Sequence, residues 1–401
     1  MGGVGRDTNS GTTMQMPERL RLTGLEELWG VAIGRDPLTE ALSEQAAFGS
    51  LRQALEAAVL PALRRPPCVV SFSGGVDSSI VLALATHVAR REGLPLPIPI
   101  TNRFPSVGKA DEAEWQERVV SHLGIEDWTR LEWDDELDIL GPVATDVLRR
   151  HGVLMPFNSH FHYPLLEQAA GGSLLSGIGG DELFGSVARA NAARVLVQRR
   201  PPHLRDLHSV AFGLAPRALR ARIIARRRPF HDYNWILPSH RRRLAHAYAS
   251  WESQEPLSCD RSLREWWWPS RLVQCGLASM SMLAGDFEVL MRSPFVDPDV
   301  LAACAHAGGG AGLGTGSRAR GFESIVGDLL PHEVIWRRSK ASFAAAFWTG
   351  HARAFVERWD GRGVDHEKVD VKLLRAQWSL AAPDPHSFQQ LQRAWLASQP
   401  D

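Results

Sequence analysis

Two glycine-rich turns, each carrying an aspartate, hold the residue types best suited to chemistry. The first is Ser73-Gly74-Gly75-Val76-Asp77-Ser78-Ser79. Its glycines let the backbone turn tightly and approach a ligand without Cβ clashes. A helix starting here offers unpaired N–H groups and the positive end of its dipole to an anion. Ser73, Ser78 and Ser79 add hydroxyl donors. A carboxylate at Asp77 makes sense beside phosphates only with a divalent cation between them. The Walker lysine and its spacing are absent. The second turn is Ser176-Gly177-Ile178-Gly179-Gly180-Asp181-Glu182-Leu183-Phe184-Gly185. Asp181 would supply a second carboxylate to a Mg2+ site, facing Asp77 across the crevice at the carboxyl ends of the strands. Either segment alone could be a glycine turn capped by Ser or Asp. The pair points to bound phosphate.

The elements around the turns predict how they are positioned. Cys68-Val69-Val70-Ser71-Phe72 reads as a buried strand, and Ser78 to about Arg91 as a helix. Leu96 to Thr101 is a second apolar run. Pro97 and Pro99 predict that it is irregular or pairs poorly on one side, because proline cannot donate to a ladder. An acidic-headed helix (ADEAEWQERVVSHLG), the run DWTRLEW, a helix near Pro164 to Ala170 and the run Ser173 to Ser176 follow. Strands alternating with helices imply an α/β fold, a parallel sheet with helices on both faces. The expected organisation is a disordered tail at 1–16, a helical leader at 17–65 with Leu51, Leu55, Val59 and Leu63 at helical spacing, a nucleotide-binding core at 66–190, and a mainly helical region at 191–401.

The first turn matches SGGxDS, the pyrophosphate loop (PP-loop) of ATP pyrophosphatases, which share the adenine nucleotide alpha hydrolase-like fold. Several activities share that loop, so it fixes the ATP chemistry and not the substrate. The second turn resembles the SGxGxDExF motif of asparagine synthetases. GSLRQALEAAV before the first turn, MRSPFVDPDV at 291–300 and LPHEVIWRRSKASF at 330–343 resemble further stretches of that family, in the right order over roughly residues 50–350. The resemblance implies that ATP is split into AMP and pyrophosphate, with Mg2+, to adenylate a carboxylate for amide formation. It implies that Ser73, Gly74, Gly75, Asp77, Ser78 and Ser79 hold the phosphates. It implies that Ser71, Ile100, Ser176 and Gly177 line the nucleoside, that Asp77 and Asp181 bind the metal, and that Lys340 sits over the pyrophosphate.

The sequence also departs from that family. A complete asparagine synthetase begins with a glutaminase domain whose cysteine follows Met1; here residue 2 is Gly and no cysteine precedes Cys68. The nitrogen is therefore expected from ammonia, a separate glutaminase, or an amine on the substrate. Ile178 stands where those enzymes usually carry a glutamate that handles the amine proton, which implies a rebuilt acceptor pocket. Tyr163 lies near the position of the catalytic tyrosine of β-lactam synthetases, but no acid follows Gly185 to complete that pair, so a packing role competes with a catalytic one. His160 and His162 could face the same pocket, where either could act as a base. Arg292 matches the arginine of the RxPFLD segment. Leu290 replaces the glutamate two residues before it, and Asp286 and Glu288 lie close enough in sequence to compensate.

Two substrate readings follow. One is amide formation on aspartate or a related acid. The other is ring closure by an internal amine, as in β-lactam synthetases or lasso peptide cyclases, with a precursor peptide as partner. A tRNA-modifying pyrophosphatase has only the Arg-rich stretch 194–243 in its favour, and that stretch reads equally as a solvated basic helix. Lys plus Arg and Asp plus Glu both number 45, so no whole-protein field attracts nucleic acid or membrane. None of the four cysteines has metal-ligand spacing. No apolar run approaches the roughly 18–20 residues that span a bilayer, and the polar N-terminus has no signal-peptide core. Reduced thiols in a cytoplasmic protein are the expectation.

Overall fold

In a computed structural model of the chain, the structure describes residues 15–184, 207–227, 230–307, 318–339, 341 and 343–399. Residues 1–14 of the expected tail at 1–16, the stretch 185–206 and the glycine-rich stretch 308–317 lie outside the described residues. Helix α1 (Leu51–Leu63) begins at Ser50, whose hydroxyl accepts from the Gln53 N–H. It is followed by β1 (Cys68–Ser71), α2 (Val76–Glu92), β2 (Ile98–Arg103), α3 (Ala113–Leu123), β3 (Thr129–Glu132), α4 (Pro142–His151), α5 (Tyr163–Gln168), β4 (Ser173–Leu175) and α6 (Gly180–Phe184). Later come α7 (Arg271–Gly285), β5 (Leu290–Arg292), α8 (Pro298–His306) and α9 (Arg318–Val326).

The five strands form one sheet in the order β3-β2-β1-β4-β5, and every neighbouring pair is parallel. The expected α/β fold is therefore the observed one. Alternation along the strands divides the core. Cys68, Val70, Phe72 and Leu175 pack with α1, α2, α3, α8 and α9. Val69, Ile100 and Leu174 pack on the opposite face with α4, α5 and α7. Side chains that alternate along a strand in this way require helices on both faces.

β2 differs from its sequence reading. It pairs with a neighbour on each side. Pro99 is accommodated because β3 joins only from Ile100 onward, so the missing N–H costs no ladder bond. The fifth strand, β5, comes from within the stretch read as mainly helical. Leu28 and Trp29 of the leader pack into a second core with Trp235, Trp348, Trp359, Trp378 and Phe388. No helix among the described residues is long and apolar enough to cross a membrane.

Candidate active site

Order in the sheet fixes where the two turns meet. β1 and β4 are adjacent and parallel, and the chain leaves them in opposite directions, so their carboxyl ends border a topological switch point. The first turn leaves β1 through Gly74, whose φ of +82° a side chain would strain and whose added Cβ would lie 2.7 Å from Gln116 Cγ. Gly75 then stands as the N-cap of α2 with no side-chain cap, so the first-turn N–H groups have no cap of their own. The serines brace this turn: the Ser78 hydroxyl donates to the Gly75 carbonyl at 3.0 Å and the Ser79 hydroxyl to the same oxygen at 2.8 Å. Ser73 Oγ lies 3.1 Å from Ser78 Oγ.

The second turn closes onto the first. An added Cβ at Gly177 would lie 3.0 Å from the Ser78 nitrogen, and one at Gly180 would lie 2.4 Å from Asp77 Oδ1. Both glycines are therefore needed for the turns to touch. Asp77, in the first turn of α2, and Asp181, in the first turn of α6, converge on a single guanidinium. Arg318 Nη2 lies 2.5 and 2.6 Å from the Asp77 oxygens, and Arg318 Nη1 lies 2.7 Å from Asp181 Oδ1. Two carboxylates one guanidinium apart suit a hard divalent cation that completes its shell with phosphate oxygens and water. Among the described residues no cluster of three or more His, Cys, Asp or Glu could hold a metal alone, so any cation here needs those external oxygens.

A buried brace holds the first turn from behind. Arg337 donates to the Gly74 carbonyl at 2.7 Å and pairs with Glu112 at 2.5 Å. The two side chains are 2% and 5% exposed, and the Arg337 guanidinium lies over the Trp115 ring. Gln116 Nε2 donates to the Ser73 carbonyl at 3.1 Å. Neither Glu112 nor Gln116 was identifiable as a site residue from the sequence. Arg337 lies in the family-like stretch 330–343, but its contact with the Gly74 carbonyl is visible only in three dimensions.

The other expected site residues are distributed as follows. Ser71 ends β1 half-buried, opposite Ile100. Ile100 is 2% exposed, its side chain in the core beneath the sheet and its carbonyl accepting from the Phe72 N–H. It borders the crevice through its backbone only. Ser176 is buried, with its N–H on the Arg292 carbonyl and its hydroxyl accepting from the Ile178 N–H. Lys340 lies outside the described residues.

Tyr163 is a correction. Its hydroxyl donates to Asp286 Oδ2 at 3.3 Å, and its ring meets Phe287 edge-on. Asp286 also receives Arg150 and His151, and the Phe287 carbonyl accepts from Gly171 just before β4. This cluster therefore sits at the amino ends of β4 and β5, the end of the sheet away from the glycine turns. Burial first, then the Asp286 carboxylate, raises the phenol pKa, so Tyr163 is no base at neutral pH. The same placement removes Asp286 and Glu288 as replacements for the glutamate missing at Leu290, since Glu288 also precedes β5 and gives its carbonyl to Arg65.

The two histidines separate. His160 is buried, its Nε2–H donating to the Leu137 carbonyl at 3.0 Å. His162 lines a cavity beside the second turn. Burial lowers both imidazoles to about 4 from an ordinary 6.5, so both are neutral at pH 7. Between those values the unfolded chain binds more protons than the folded one, so stability rises with pH there. The expected outcome is full stability above about pH 6.5 and a falling melting temperature as pH drops towards 4, with a smaller drop in a His160→Gln variant. A melting temperature flat across that window would contradict the burial of the His160 ring. Burial also pushes the Cys68 thiol to about 11 and the Cys275 thiol to about 12, which leaves both unreactive near neutrality.

The sequence model of one family, described as asparagine synthase, matches residues 50–397. No curated protein matches the chain.

Proposed function

This chain belongs to the asparagine synthase family, a family of ATP-dependent carbon–nitrogen ligases, and on that premise we propose that it adenylates a carboxylate and joins the acyl group to nitrogen. The observation that carries this reading is the convergence of Asp77 and Asp181, one from each glycine turn, on the one Arg318 guanidinium. In the first step a substrate carboxylate oxygen attacks the α-phosphorus, the bond to the bridging oxygen breaks, and pyrophosphate leaves. In the second a nitrogen lone pair attacks the acyl carbon, AMP leaves, and the nitrogen loses a proton.

The residues have separable parts in these steps. The Ser73–Ser79 turn and the start of α2 would bind the phosphates through N–H and hydroxyl donors. Asp77 and Asp181 would hold Mg2+, which supplies charge neutralisation at the phosphates. Lys340 would stabilise the charge that develops as pyrophosphate departs. Ser71, Ser176 and Gly177 would border the nucleoside. The acyl-adenylate is a mixed anhydride that water destroys, so its cleft has to exclude solvent.

The second reading, ring closure by an amine already on the acyl substrate, is supported by Ile178. Its side chain is 38% exposed at the wall of the neighbouring cavity and cannot carry a proton from an incoming ammonia. The test is exchange of labelled pyrophosphate into ATP with a panel of carboxylic acids, each with and without ammonia. Exchange that needs an acid and does not need ammonia is the expected result. A Lys340→Ala variant should lose exchange while still binding ATP. Near-normal exchange in that variant would contradict the role of the lysine.

A further inference from the structure

A cavity of about 540 Å³ opens beside the second glycine turn, with Ile178, Gly179 and Glu182 in its wall. Ser293 and Val296, which follow β5, line it too, so it lies at the same carboxyl ends of the strands as Asp77 and Asp181. Its volume is that of a small-molecule site. The walls are mostly apolar: Met155, Phe157, Ile178, Trp267, Met280 and Met291 contribute. Among the described residues lining it there is no lysine and no arginine. Its ionisable groups are Glu182, His162 and His386. His386 gives its Nδ1–H to the Trp29 carbonyl, and His162 is neutral at pH 7 for the reason given above.

Such a lining discriminates between acids. Free aspartate carries a second carboxylate besides the one to be activated. Moving that charge out of water without a cation to meet it is strongly unfavourable. An aryl or branched alkyl group in the same place gains in proportion to the apolar surface it buries. Three methionines add a wall that adapts to irregular apolar shapes.

We propose that this cavity receives the acyl substrate and that the acid activated here carries a bulky apolar group rather than a second carboxylate. The inference rests on the ligase reading and adds to it the class of acid. It also names a residue that sets size. Gly276, within α7, lines the cavity, and a Cβ added there would meet nothing within 4 Å. Leucine at this position would project into the open space, and it favours helix more than glycine does.

The experiment measures pyrophosphate exchange with 3-phenylpropionate, octanoate and N-acetyl-phenylalanine against aspartate and glutamate. It uses wild-type protein and the Gly276→Leu and Gly276→Ala variants. The apolar acids should support exchange with KM at least tenfold below that of aspartate. Gly276→Leu should raise the KM of the bulkiest acid about tenfold or more and leave the KM for ATP unchanged, with Gly276→Ala close to wild type. Exchange driven by aspartate or glutamate and not by the apolar acids would overturn this inference and leave the ligase reading standing. Equal KM values in wild type and Gly276→Leu would overturn the assignment of the cavity. Absence of exchange with every acid would remove the ligase reading beneath it.

Discussion

Replacing Asp77 or Asp181 by asparagine is expected to slow pyrophosphate release by about 10²–10³-fold, the usual size of losing one charge-stabilising group at a reacting centre. Asparagine keeps the size of the side chain and one acceptor oxygen, so the turns still fit together. What is lost is the charge. Because both carboxylates meet one guanidinium, they are expected to serve one cation, and removing either should forfeit most of its binding. The double variant should then be little slower than the worse single one. The melting temperature should move little, since the Asp77, Asp181 and Arg318 side chains are 22%, 48% and 32% exposed and pairs of that kind contribute modestly to stability. Initial rates at saturating ATP decide the matter. Losses that multiply in the double variant would mean that the carboxylates act at separate places.

The second large effect concerns stability. Arg337→Met is expected to destabilise the fold by about 3–5 kcal/mol, because it leaves the Glu112 carboxylate buried without its partner. Adding Glu112→Gln should recover a good part of that loss by removing the stranded charge. It should not recover activity, because the Gly74 carbonyl would still lack its donor and the phosphate turn its brace. Urea denaturation of the single and the double variant, read beside their exchange rates, separates the two roles. A cost below about 1 kcal/mol for the single variant, the range of exposed pairs, would show that the pair is not acting as a buried one.

Much of this site was legible because its parts are local. The glycines, the serines and the two aspartates sit within short segments, and each segment follows a short apolar run that reads as a buried strand. Juxtaposition was not legible. Arg337 and Glu112 lie 225 positions apart, and nothing in either neighbourhood announces the other. β5 has three residues between a turn at 286–288 and Pro294, too few for a period to declare itself. Tyr163 stayed open for a different reason. Its distance in sequence from Ser176 says that it precedes β4, but not towards which end of the strand its side chain leans. Ile178, by contrast, raises the expectation of an altered pocket from sequence alone, because an isoleucine in place of a proton-handling residue changes the chemistry wherever it points.

The central claim is that the two turns form one ATP site cleaved between the α- and β-phosphates. The most direct measurement is 31P NMR of ATP incubated with the protein, magnesium and the acid that best supports exchange. Equal amounts of AMP and pyrophosphate are the predicted products, and ADP with orthophosphate would contradict the account.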